Sequence, residues 1–274
     1  MSLSVGGWFR RQYGSLLSRS VSTSPSHVAV IQDGNRRYAE SRGLERSAGH
    51  QQGASTTEEL LNWCLELDIS TVTLYTFSTE NFNRSADEQA SLFDLIAEKL
   101  YELADADRIH DNAVRIRGLG DIARLPSRVQ DAVGYAENQT DPYDQLQLNI
   151  ALAYGGRHEL LTAAQTIAQN VASGGQSVDT ISTDTIETAL YRESLPDVDL
   201  LVRTGGAQRT SNFLPWHAMG GEAVVYFSDV YWPAFSRLDF LRALHAYATH
   251  DQTFHQRRVN QASSILETMR RRAR

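Results

Sequence analysis

Cysteine is almost absent: Cys64 stands alone among 274 residues. A single thiol excludes an internal disulfide framework and any zinc site built on several cysteines. Long apolar runs are missing as well. None approaches the roughly 20 residues that span a bilayer, which excludes an integral helical membrane protein. Lysine is equally scarce, for Lys99 is the only one and every other cationic side chain of that class is an arginine. Such a skew arises from codon usage in a GC-rich genome, from a salt-adapted proteome, or from phosphate chemistry, which arginine's planar fork suits. The net charge of -7 argues against nucleic acid as a partner. What remains is 41% hydrophobic, enough to build a substantial core in a chain of this length.

Residues 1–26 are rich in Ser, Arg and Gly and hold no apolar stretch of the kind a secretory signal needs. Phe9, Tyr13, Leu16 and Leu17 share one helical face beside Arg10, Arg11 and Arg19. This segment is expected to be flexible, or an amphipathic helix able to rest on an anionic membrane. The corresponding location is the cytoplasm, with peripheral membrane contact.

From His27 onward, short β-rich runs alternate with longer helical segments. Strands are expected at 27–32, 71–77, 113–118, 145–151, 198–203 and 223–227. Helices are expected at 54–67, 87–107, 123–138, 157–172, 182–192, 236–249 and 254–271. This alternation predicts an α/β fold, a single domain with a mostly parallel central sheet of about six strands flanked by helices. Ligands of such sheets bind beyond the carboxyl ends of the strands, so the residues just after each strand carry the functional reading.

The first strand runs into Asp33-Gly34-Asn35-Arg36-Arg37-Tyr38. A helix starting near Asn35 offers free amides to an anion, and two arginines reinforce that field. A carboxylate beside an anion site suits a bridging Mg²⁺, which takes one or two carboxylates plus phosphate oxygens. An ordinary turn explains Asp33-Gly34-Asn35 equally well. The second strand ends in Ser78-Thr79-Glu80-Asn81-Phe82-Asn83-Arg84, a polar cluster too dense for helix capping alone. The fifth leads into Arg203-Thr204-Gly205-Gly206 and then Arg209-Thr210-Ser211-Asn212. Glycines there admit phosphate oxygens to the backbone and arginines clamp the charge, although a solvated surface loop would look the same. Gly118-Leu119-Gly120-Asp121 lacks a third glycine and reads as a turn. Two arginine-bearing loops and one carboxylate suggest two phosphorylated substrates meeting at the sheet edge.

Together these stretches resemble the cis-prenyltransferases, the undecaprenyl diphosphate synthase family. The likeness runs through 27–39, 42–50, 74–84, 148–157, 199–206, 209–214 and 226–233 in the family's order. It implies a catalytic domain at 27–274 with a hydrophobic tunnel, forming homodimers. The implied reaction is Mg²⁺-dependent condensation of isopentenyl diphosphate onto an allylic diphosphate of farnesyl or geranylgeranyl type, giving a long cis-polyprenyl diphosphate for glycan lipid carriers. On the family pattern Asp33 is the catalytic carboxylate that handles Mg²⁺, and Asn81 acts at the reaction centre, orienting the diphosphate that accepts the proton. Gly34, Asn35, Arg36, Arg37, Tyr38, Arg46 and His50 would cradle the allylic diphosphate. Ser78, Thr79, Glu80, Phe82 and Arg84 would line the centre. Arg203, Arg209, Thr210 and Ser211 would hold isopentenyl diphosphate, and Glu222 matches a second metal-associated carboxylate. Tunnel walls are expected from Leu60, Leu61, Cys64, Leu92, Leu95, Ile96 and Leu100. Three positions depart from the usual pattern: Gln32 for methionine, Arg36 for glycine, as in archaeal and eukaryotic relatives, and Ala207 for glutamate. The competing reading is a non-catalytic partner subunit of a two-component cis-prenyltransferase.

Overall fold

The first strand is the spine of the fold. β1 (His27–Ile31) is buried at all its positions, as a strand covered on both faces must be. With β2 (Thr71–Ser78), β3 (Val114–Leu119), β4 (Leu146–Tyr154), β5 (Leu200–Arg203) and β6 (Val224–Phe227) it forms one parallel sheet, ordered β3-β4-β2-β1-β5-β6. All six expected strands are present, with bounds shifted by a few residues. The computed structural model describes residues 24–190, 195–220 and 223–250. Most of the 1–26 segment, the helix expected at 254–271 and Glu222 lie outside the described residues.

Strand order reverses at β1, which has β2 on one side and β5 on the other. A reversal of this kind opens a crevice at the carboxyl ends of the strands. Ile31 is in register with both Tyr75 and Arg203. Asp33, Ser78 and Arg203 therefore emerge at one edge despite their separation in sequence.

The connecting helices are α1 (Asn35–Ser41), α2 (Arg46–Glu66), α3 (Ala86–Asp105), α4 (Asp107–Asp111), α5 (Ser127–Thr140), α6 (Gly156–Ala172), α7 (Thr183–Leu190) and α8 (Pro215–Gly220). Among these, α8 was not expected, and three of the expected helices differ in extent. The helix expected from 54 starts at Arg46, although its first turns contain Gly49 and Gly53, poor helix formers by propensity. Tertiary packing overrides that preference: a Cβ on Gly49 would lie 2.2 Å from the Asn35 carbonyl oxygen, and one on Gly53 2.2 Å from Asn35 Oδ1. The helix expected at 87–107 breaks at Ala106, whose extended backbone separates α3 from α4. The helix expected from 123 begins after Pro126, with a separate 3₁₀ turn at Ile122–Arg124. At the start of α3, Ser85 Oγ accepts from the Glu88 amide at 3.4 Å, and Asp87 and Glu88 complement the helix dipole.

Residues 26–235 form one compact unit. Within it, burial pushes the Cys64 thiol well above its usual range, which leaves it protonated and unreactive. Residues 237–250, taken separately, are helical. That helix opens on a capping box, in which Asp239 Oδ2 accepts from the Ser236 amide at 3.1 Å and Ser236 Oγ accepts from the Asp239 amide at 3.4 Å. No helix among the described residues is long and apolar enough to cross a membrane.

Candidate active site

Asp33 leaves the end of β1 with both carboxylate oxygens engaged. Arg37 donates to Oδ1 at 2.9 Å and Arg203 to Oδ2 at 2.8 Å. Arg37 reaches back one helical turn and also donates to the Gly205 carbonyl at 2.8 Å. Arg203, only 4% exposed, donates from Nη1 to the Arg209 carbonyl and to Ser211 Oγ, both at 2.6 Å. One guanidinium thus ties the carboxylate to the 203–212 loop. The main chain at Asp33 is pinned as well, because its carbonyl accepts from Thr204 Oγ1 at 2.8 Å and from the Trp232 amide at 3.1 Å. Gly34 turns the chain at φ 108°, a conformation unfavourable to L side chains, and any Cβ there would strike Tyr231 at 2.7 Å.

The second strand end is re-aimed by an irregularity. The β2–β4 register shifts between Tyr75 and Phe77 and again before Ser78. Tyr75 and Thr76, which a regular pleat would send to opposite faces, both line the same cavity. Asn81 Oδ1 accepts from the Ser78 amide at 2.9 Å, so its carbonyl is committed and its NH₂ is the group left to donate. Arg84 is held by Glu88 at 2.6 Å. His50 is driven down to about 4, by burial first and then by the Arg84 charge; its Nε2 is buried without a partner, and the ring is neutral near pH 7. Burial raises the Tyr75 hydroxyl to about 12 and keeps it protonated.

These groups border a cavity of about 330 Å³. Asp33, Asn35, His50, Ser78, Glu80, Asn81, Arg84, Arg203, Arg209 and Ser211 lie at its polar end. Between α2 and α3 it becomes apolar, walled by Leu92, Leu95, Ile96, Leu100 and Leu103. Leu60, Leu61 and Cys64 are not among its lining residues, contrary to expectation; they are buried in the core, on the part of α2 beyond its last lining residue, Glu58. Several expected site residues flank the cavity without lining it. Arg36 is exposed and pairs with Glu40 at 3.4 Å, Tyr38 lies under the Arg42 guanidinium, and Arg46 is 3.7 Å from Glu88. Phe82 packs edge-on against Phe77 beneath Arg124, Thr79 lies against Gly155, and Thr210 is exposed. Thr57, Tyr75, Thr76 and Trp232 line the cavity without having been assigned a role, and Gln32, noted only as a departure from the family pattern, lines it too. Gln32, Tyr75 and Thr76 stand at strand ends and Trp232 lies in the family-like stretch 226–233, whereas no local signal marked Thr57.

A second cavity of about 770 Å³ borders the ends of β3 and β4 and includes the Gly118–Asp121 turn. Its charged groups are internally satisfied, with Arg117 on Asp141 at 2.6 Å and Glu137 accepting from the Gly118 amide at 2.9 Å.

Comparison with known proteins identifies the family. The prenyltransferase family described as undecaprenyl diphosphate synthase matches residues 31–255. The chain belongs to this family, the cis-prenyltransferases. The geranylgeranyl-diphosphate-specific tritrans,polycis-undecaprenyl-diphosphate synthase of Halobacterium salinarum is 52% identical over 257 residues, covering 94% of this chain and 85% of the relative. Its counterpart from Haloarcula marismortui is also 52% identical, covering 94% and 84%. Among solved cis-prenyltransferase-like structures, lavandulyl diphosphate synthase from Lavandula x intermedia, in complex with dimethylallyl diphosphate, superposes with a TM-score of 0.76 at 34% identity, covering 82% of this chain and 95% of that one. This cis-prenyltransferase is accordingly an enzyme of cis-prenyl chain elongation.

Proposed function

We propose that this enzyme extends geranylgeranyl diphosphate with isopentenyl diphosphate to a long cis-polyprenyl diphosphate, the precursor of a glycan lipid carrier. One observation carries the reading: a single cavity whose mouth gathers a carboxylate and arginines and whose depth is leucine and isoleucine. That is the shape of an amphiphile with a diphosphate head and a growing hydrocarbon tail. The named specificity of the two halobacterial relatives supports geranylgeranyl over farnesyl as the primer.

The chemistry follows from the polar end. The allylic C–O bond breaks and the diphosphate leaves with the electron pair. The terminal alkene carbon of isopentenyl diphosphate bonds to the allylic carbon, and a proton is lost to form the new double bond. Arg37, Arg203 and Arg209 stabilise negative charge as it develops, and Arg37 and Arg203 cost no reorganisation because their hydrogen bonds already fix them. An amide is a weak base, and Asn81's oxygen is committed, so Asn81 orients the departing diphosphate, which takes the proton.

No cluster of three or more His, Cys, Asp or Glu side chains fit to hold a metal occurs among the described residues. Mg²⁺ requires none here, since it takes one or two carboxylates with phosphate oxygens. The donor set fits: Asp33 is a partly exposed carboxylate at the cavity mouth, and its two oxygens keep lone pairs beyond those taken by Arg37 and Arg203. Asp33 would hold the ion, which when bound neutralises charge on the leaving diphosphate. Val225 and Phe227, exposed on the open edge strand β6, support a homodimer, and an insoluble product supports work at the cytoplasmic membrane surface.

The test is purified protein with Mg²⁺, labelled isopentenyl diphosphate and either geranylgeranyl or farnesyl diphosphate. Long-chain products with a preference for the geranylgeranyl primer are expected. Absence of incorporation with either primer overturns the reading.

A further inference from the structure

The backbone from Ser211 to Leu214 is strained. Ser211, Asn212 and Leu214 have φ of 47°, 59° and 45°, in the left-handed region that serine and leucine rarely occupy. Such conformations persist only where surrounding contacts over-determine them. Here the determinant is an aromatic cluster drawn from three parts of the chain. The Phe213 ring stacks on Tyr75 of β2, with centroids 4.4 Å apart and planes within 3°, and meets Tyr154 of β4 edge-on at 5.7 Å. Tyr75 and Tyr154 also meet edge-on, at 5.8 Å, and the Tyr75 hydroxyl donates to the Tyr154 carbonyl at 3.3 Å. Phe213 is 1% exposed and Leu214 fully buried, so both anchor the loop in the core.

Just before that anchor stands a polar part of the site. Ser211 Oγ and the Arg209 carbonyl accept from the same nitrogen of Arg203, both at 2.6 Å. Between Ser211 and the ring, the Asn212 carbonyl accepts from the Gly156 amide at 3.0 Å, at the start of α6. A Cβ on Gly156 would lie 2.2 Å from Pro215 Cδ, so the end of β4 holds the loop a second time. If φ at 211 and 212 returned below zero, the Ser211 hydroxyl would turn from Arg203 and Arg209 would shift with it. Tyr75 lines the cavity, whereas Phe213 does not. Any effect of Phe213 on a substrate must therefore pass through the loop.

We propose that Tyr75 and Phe213 are positioning residues for isopentenyl diphosphate: their stack holds residues 211–214 in the strained conformation that presents Arg209 and Ser211 to that substrate. The inference rests on the elongation reading above. Asp33 and the loop after β1 lie outside the strained segment, so binding of the allylic primer should not depend on the stack. Phe213→Leu and Tyr75→Leu should raise KM for isopentenyl diphosphate about tenfold, the scale of one good aromatic contact, and KM for the primer by less than about twofold. Tyr75→Phe, which retains the ring, should keep the wild-type values for both substrates. Asn212→Gly added to Phe213→Leu should recover most of the lost affinity, because glycine takes a positive φ without steric cost.

Steady-state kinetics of the first condensation, with each substrate varied in turn, reads these changes, and circular-dichroism spectra establish that each variant is folded. A general loosening of the core would move both KM values together, which the split between substrates separates from positioning. Equal rises for both substrates in Phe213→Leu overturn the positioning role alone. Impairment of Tyr75→Phe as deep as that of Tyr75→Leu overturns it too, as does the absence of any recovery with Asn212→Gly. If Phe213→Leu does not fold, Tyr75→Leu against Tyr75→Phe decides by the same split. Failure of wild-type protein to incorporate isopentenyl units overturns the elongation reading and the positioning role with it.

Discussion

At its mouth the cavity is lined by side chains already committed to one another, whereas its depth, apart from Glu58 and Lys99, is lined by groups that touch through dispersion. Asp33, Arg203, Ser211 and Thr204 form a closed network in which each loss strands a partner. Leu92 and Ile96 have no such partners, and a substitution there changes only volume. Polar networks are therefore intolerant and dispersion-lined walls are tunable. The first should control rate and the second should control what is made.

The largest effect is expected at Asp33. Asp33→Ala should reduce turnover by a thousandfold or more, about 4 kcal/mol in the barrier, with the circular-dichroism spectrum preserved. Residual activity above a tenth of wild type, a change under about 1.4 kcal/mol, would remove Asp33 from the chemistry. Next comes the pair Arg203 and Arg209. On sequence grounds both belong to the isopentenyl diphosphate pocket, yet Arg203 also grips Asp33 and is buried, while Arg209 is exposed. Arg203→Ala should impair both substrates, since that guanidinium is bonded both to Asp33 and to Ser211. Arg209→Ala should raise KM for isopentenyl diphosphate selectively, by about tenfold or somewhat more, as for one charged hydrogen bond. Equal KM changes for both substrates in Arg209→Ala would merge the two pockets.

A third contrast sets this edge of the sheet against the opposite one. His27 begins β1, fully buried, with Nδ1 on the Pro196 carbonyl and Nε2 on Thr73 Oγ1, both at 2.8 Å. Burial lowers its pKa from 6.5 to about 4. The unfolded chain then binds the proton first, so stability is complete above pH 6.5 and is lost as pH falls toward 4, by up to about 3 kcal/mol. Urea titrations at pH 7 and pH 4.5 should show the loss, and His27→Gln should reduce it, leaving the share of His50, which burial also lowers to about 4. A wild-type midpoint unchanged between those pH values would contradict this assignment.

The smallest effect on rate is expected in the apolar wall. Leu92→Trp or Ile96→Trp should shorten the product, and Ala at either position should lengthen or broaden it, with the first condensation preserved. Each CH₂ that finds an apolar wall gains about 0.8 kcal/mol, so a blocked wall opposes every added unit. Unchanged lengths in all four variants would return both residues to ordinary core packing.

Local patterns foretold much of this molecule. Runs such as His27-Val28-Ala29-Val30-Ile31 are legible as buried parallel strands because burial on both faces demands continuous apolar sequence. The polar loops after β1, β2 and β5 were legible for a related reason, since α/β sheets bind ligands at those ends. The start of α2 was not, because Gly49 and Gly53 oppose a helix locally and are required only by the approach of Asn35. Nor were Leu60, Leu61 and Cys64 separable from Leu92 and Ile96 as tunnel walls, because helical periodicity marks an apolar face without saying what it meets.

Strands, helices and the chemistry at their ends follow from the sequence because each depends on residues only a few positions apart. Three features depended on the assembled fold. Arg203 reaches Asp33 because β5 lies beside β1 in register. Tyr75 and Thr76 share a cavity because β2 shifts its register against β4. Lys99 meets Glu58 and Arg108 because three helices converge there. Each joins side chains whose closeness is set by strand order and packing, and no periodicity within one segment encodes it.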